Sequence, residues 1–186
     1  MSSVASPFGL KPAWHPSGCI RQAQGTLASG LATSIFQFSP LEVLTTGFLS
    51  PAAAGSRAVG VFLGVEFTGT DGRRRVGNQW EANTVGTEIV VYYTLDDDLT
   101  YEIQANASLG LAAIGDQYDW TALTGNTVTG LSSVALDVAT AAGPGANAGL
   151  RVVGLNPAPD NIFGDAFPIV QVQISENQYV ADRVAI

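Results

Sequence analysis

Residues 87–105, TEIVVYYTLDDDLTYEIQA, decide the fold class. In their first half Ile89, Val91 and Tyr93 alternate with Val90 and Tyr92. A strand of that pattern is apolar on both faces, as an interior strand is. In the second half Leu99, Tyr101 and Ile103 alternate strictly with Thr100, Glu102 and Gln104, which predicts one buried face and one face in water. Between the halves stands Leu-Asp-Asp-Asp, and aspartate favours turns by bonding its own backbone. The stretch is therefore expected to form a β-hairpin closed by an acidic turn.

Working outward, residues 58–67 read as a second strand. Val59, Val61, Leu63, Val65 and Phe67 fall on one face, while Gly60 and Gly64 leave room for a close neighbour or a bend. Asp71-Gly72 follows, a strong short hairpin signal. Further strands are expected at 31–38, 40–45, 150–155 and 169–175, between Gly and Pro stops. Residues 106–119 allow one short helical turn, limited by Gly110 and Gly115. Residues 139–149, ATAAGPGANAG, read as a surface loop. With about seven to nine short strands and no amphipathic helix, the texture is all-β, a single β-sandwich or β-barrel of jelly-roll type over residues 19–186.

Residues 1–18 differ. Pro7, Pro12 and Pro16 fix φ and push their predecessors out of the helical region, which predicts an extended N-terminal arm. Phe8, Leu10 and Trp14 make it too apolar for a free tail. Two placements stay open: the arm reaches a neighbouring molecule, or it packs on its own domain.

Composition narrows the function. Charged residues make up 13% of the 186, against roughly 25% in an average soluble domain, so the surface is suited to contact with protein. Sixteen acidic residues oppose eight basic ones for a net charge of −8, which disfavours nucleic acid and anionic membranes as partners. Cys19 is the only cysteine, excluding an internal disulfide and a cysteine-based zinc site, and it reads as a small apolar residue near a packed surface. The opening MSSVASPFGL has no cationic segment followed by an apolar run, so no secretory signal is expected.

Catalytic constellations are sparse. His15 is the only histidine and lies between Trp14 and Pro16, so a Ser or Cys nucleophile has no obvious base. Counted from Asp96, a calcium loop needs Gly at its sixth position and Glu at its twelfth; Tyr101 and Ala107 stand there instead. Glu66, Glu88 and Glu102 lie on expected strands, yet no spacing singles out a glycosidase pair. No phosphate-binding glycine motif occurs. No catalysis, cofactor or metal is expected. Arg73, Arg74 and Arg75 gather three of the seven arginines beside Trp80, a composition that suits bidentate pairing with a partner's carboxylates.

Several segments, in order, resemble the tailed-bacteriophage capsid decoration, or cement, proteins. SPFGLKPAWHPSG at 6–18 is similar to that family's opening, and TSIFQFSPLEVLTTGFLSPA at 33–52 to its next segment. VGVFLGVEFTGTDGR at 59–73, the central stretch, SSVALDV at 132–138, LRVVGLNPAPDN at 150–161 and IVQVQIS at 169–175 continue it. Gln37-Phe38 and Leu95 depart from the family's pattern. The resemblance implies a non-catalytic virion protein on the outer surface of the assembled head, bridging major capsid protein subunits. Symmetry makes a homodimer or homotrimer the natural state. Capsid contact is then expected from Phe8, Leu10, Trp14 and His15 and from Arg73, Arg74, Arg75 and Trp80, with the truncated 19–186 domain remaining folded. The competing expectation is a carbohydrate-binding or adhesin-type β module of a tail or fibre.

Overall fold

The computed structural model describes residues 2–143 and 145–181. The first half of the chain forms β1 (Lys11–Trp14), β2 (Gln22–Gly25), β3 (Ile35–Phe36), β4 (Pro40–Val43), β5 (Leu49–Pro51), β6 (Gly60–Gly69), β7 (Arg74–Gly77) and β8 (Gln79–Trp80). The second half forms β9 (Gly86–Thr94), β10 (Thr100–Gln104), β11 (Gln117–Trp120), β12 (Leu136–Asp137), β13 (Leu150–Leu155) and β14 (Ile169–Ile174). Short 3₁₀ turns lie at Leu111–Ala113 and Val138–Thr140.

The protein is all-β, in three sheets. One runs β1-β10-β14-β13-β11-β12, a second runs β2-β9-β6-β4-β5 with β7 also on β6, and β3 pairs β8. Each sheet has open ends, so none closes into a barrel, which corrects that part of the expectation. The core is divided to match. The first sheet covers Tyr101, Ile103, Trp120, Leu150, Val170 and Val172 among others, and the second covers Leu41, Phe62, Val65, Trp80, Val91 and Tyr93.

The stretch 87–105 does not form a hairpin. β9 is the expected interior strand, but it lies between β2 and β6, while β10 lies in the other sheet between β1 and β14. The acidic segment is thus a crossing from one sheet to the other. Its chemistry holds the crossing closed. The Tyr101 hydroxyl meets Thr94 Oγ1 at 2.8 Å, and the same oxygen accepts from the Val61 amide at 3.0 Å. Arg21, next to β2, grips Asp96 at 2.5 Å. Gly60 packs so close that a Cβ there would stand 1.6 Å from the Thr94 carbonyl oxygen, so only glycine fits.

β6 also departs from simple alternation. Val61 belongs to the first core, whereas Phe62 and Val65 belong to the second. The register against β9 shifts between Phe62 and Gly64, so Leu63 is the extra residue of a β-bulge, which moves the following side chains to the other face.

Residues 2–18 pack on their own domain, one of the two placements left open. Leu10 is fully buried in the first core, β1 adds an edge strand to β10, and the Gly9 and Leu10 amides bond Val134 and Phe38 carbonyls. Gln104, expected in water, is buried beneath this segment. Its side-chain oxygen accepts from the Ser6 amide at 2.6 Å, and its nitrogen donates to the Val4 carbonyl at 2.9 Å.

Candidate partner-binding surface

The expected contact residues separate into buried and exposed sets. Leu10 and Trp80 are core residues, at 0% and 1% exposure, and this corrects their assignment as surface contacts. Both are anchored by packing: Trp80 meets Phe67 edge-to-face at 5.1 Å and 69°. Trp14 on the edge strand β1 is 57% exposed, and His15 forms a local turn with the Ser17 hydroxyl at 2.7 Å. Phe8 is half-buried and lines two adjoining apolar cavities of about 340 and 420 Å³, which share Leu131 and Ile169. Cys19 is exposed rather than packed.

At the hairpin tip Gly72 takes a φ of +75°, as the Asp-Gly signal requires. Arg73 is exposed. Arg74 lies between two carboxylates, Glu66 at 2.9 Å and Glu88 at 3.8 Å, and donates to the Glu88 carbonyl at 2.8 Å. Arg75 pairs with Asp71 at 3.1 Å. Two of the three guanidinium groups therefore already have carboxylate partners within the chain.

The glutamates considered for glycoside cleavage take structural positions. The Tyr92 hydroxyl and then Arg74 hold the Glu66 carboxyl below the ordinary carboxylate range, opposite to the raised value a general acid needs. Glu102 lies in the other sheet, accepting from Asn156 at 2.6 Å. Asp96 is likewise held low, chiefly by the hydrogen bond from Arg21. Among the described residues no three or more His, Cys, Asp or Glu side chains gather as a metal site would require.

One loop connects the two exposed regions. Between β11 and β12, the Thr127 and Thr129 carbonyls accept from Gln79 and Asn78, while Leu131 lines the Phe8 cavities. Val128, in the same loop, is 92% exposed, and Val76 on β7 is 78% exposed. Neither valine drew notice in the sequence. The signal for Val76 was present: it shares parity with Arg74 and so puts an apolar side chain on a polar face.

No protein family, curated protein or solved structure matches this chain.

Proposed function

We propose that the chain is a structural virion protein that binds the outer surface of an assembled phage head and bridges major capsid protein subunits. One observation carries this: the segments that resemble the decoration family follow one another in order and map onto successive elements of one connected fold. They supply β1, β3 to β6, β9, β10 and β12 to β14. The low share of charged residues and the exposed valines on β7 and the neighbouring loop support a protein partner. In this reading the two six-stranded sheets form a single β-sandwich, joined where Tyr101 meets Thr94 and where the Trp120 indole donates to the Ala52 carbonyl at 3.1 Å. The capsid contacts in this reading are Phe8, Trp14 and His15 of the N-terminal segment and Arg73, Arg74 and Arg75 of the β6–β7 hairpin. Self-association on a local symmetry axis belongs to the same proposal.

The test is co-sedimentation of the purified chain with heads assembled without it. Saturable binding is expected, and heads that resist heating better once decorated. Binding to a glycan array with no affinity for heads would instead favour the carbohydrate-binding module.

A further inference from the structure

We propose that Asp71-Gly72 is a covalent modification site, where the aspartate isomerises spontaneously to isoaspartate, and that Arg75 restrains the reaction while the chain is folded.

The sequence holds one Asp-Gly pair and no Asn-Gly pair. A glycine amide has no β-carbon beside it and so reaches the preceding aspartyl carboxyl with least hindrance. A β-carbon added at Gly72 would meet nothing within 4 Å, and the Asp71 side chain is 41% exposed, so the tip stands open to water.

The reaction needs the protonated carboxyl. The Gly72 nitrogen gives up its hydrogen and bonds to Cγ of Asp71, and the carboxyl hydroxyl leaves as water. The succinimide that results takes water back at either of its carbonyls. Opening at Cγ restores aspartate, whereas opening at the Asp71 main-chain carbonyl leaves the chain running through Cβ and Cγ. One water leaves and one returns, and nothing is oxidised or reduced.

The hairpin opposes each requirement. The Gly72 N–H is already committed, donating to the Gly69 carbonyl at 2.9 Å. Oδ1 of Asp71 accepts from the Arg73 amide at 3.2 Å, and Oδ2 accepts from the Arg75 guanidinium at 3.1 Å. With both oxygens engaged as acceptors, the ionised form is favoured, and that form does not react. The carboxyl is accordingly held below the ordinary aspartate range, by the Arg73 amide first and then by Arg75. Arg74, on the opposite face of β7, is taken by Glu66 and Glu88, and Gly69, close to the carboxylate, has no side chain. Among the described residues Arg75 is therefore the charged side chain paired with Asp71.

Isomerisation adds one carbon to the backbone of a tip whose register is fixed, by the Gly69 amide on the Arg73 carbonyl and by Thr68 opposite Arg74. The extra atom shifts β7 against β6 and disturbs the pairing of Arg74 with Glu66 and Glu88.

The experiment follows isoaspartate in the full chain over weeks of incubation, read in the tryptic peptide 58–73 by chromatographic separation and electron-transfer fragmentation. Folded wild type is compared with the same chain unfolded in guanidinium chloride and with folded Arg75→Gln and Arg75→Lys, circular dichroism confirming the fold. Isoaspartate is expected at residue 71, forming several-fold more slowly in folded wild type than in the unfolded chain. Arg75→Gln is expected to raise the folded rate several-fold at about pH 7, the excess shrinking toward about pH 4 as both carboxyls take up protons, while Arg75→Lys stays near wild type. A hairpin that was merely looser would react faster by the same factor at both pH values. No isoaspartate at residue 71, or equal rates in the folded and unfolded wild type, overturns the proposal even where a variant fails to fold. Equal rates in wild type and Arg75→Gln, or an excess that does not change with pH, overturns the part assigned to Arg75.

Discussion

At the residue scale the buried hydroxyl of Tyr101 is the most informative side chain, because it bonds Thr94 where the chain crosses between sheets. Burial pushes its ionisation well above the ordinary tyrosine value. A phenol whose folded value is raised contributes stability that is full below about pH 10, the unfolded value, and is lost as pH rises beyond it. Tyr101→Phe is therefore expected to cost about 1 kcal/mol at neutral pH and to flatten the fall in stability on the alkaline side. Urea unfolding across pH checks both. Asp96 runs the other way. Its carboxyl is held low by Arg21, so its contribution is present above about pH 4 and is lost as pH falls through the lower folded value. Because Arg21 is 75% exposed, Asp96→Asn is expected to cost less than about 1 kcal/mol near neutrality, the difference from wild type vanishing in acid. The acidic run was plain in the sequence. Its partner, Arg21, lies 75 residues away and carried no signal of the pairing.

At the scale of elements, most strands could be read from alternation and from Gly and Pro stops, and β4, β6, β13 and β14 lie where those signals put them. What alternation does not encode is which strand pairs with which. Adjacent strands joined by a short turn usually pair, and here the fully buried Gly60–Thr94 approach and the Tyr101–Thr94 bond divert the second strand to another sheet. Gly60→Ala is accordingly expected to destabilise by about 3 kcal/mol or to prevent folding, since the group in the way is a backbone carbonyl that the β9 ladder holds in place. The bulge at Leu63 was equally silent, because one extra residue leaves composition unchanged while reversing the faces. The N-terminal segment shows the same gap between local pattern and tertiary position. Its prolines predicted extension, and β1 is extended, but Leu10 is fully buried in the core. Leu10→Ala is expected to cost about 2–5 kcal/mol by thermal or urea unfolding. Deletion of residues 1–18 should leave the first core open, not a stable 19–186 domain as the sequence suggested.

At the scale of the whole molecule, the acidic balance and scarcity of charge pointed to protein rather than nucleic acid before any strand was placed. The candidate surface was only half legible. Arg73, Arg74, Arg75, Phe8 and Trp14 stood out by type and Val76 could be found by its parity with Arg74, whereas Val128 owes its interest to exposure, which only the folded chain reveals. Nor could the sequence show that the loop carrying Val128 joins the N-terminal cavities to the arginine hairpin. Together these features give an acidic, all-β protein with exposed apolar side chains on β7 and on the neighbouring loop. The most direct test is a cryo-EM map of the intact particle at a resolution that traces strands. The account predicts density for this fold on the outer surface of the head, with the loop and β7 turned toward capsid subunits. Density for it in the tail or inside the shell would contradict that account.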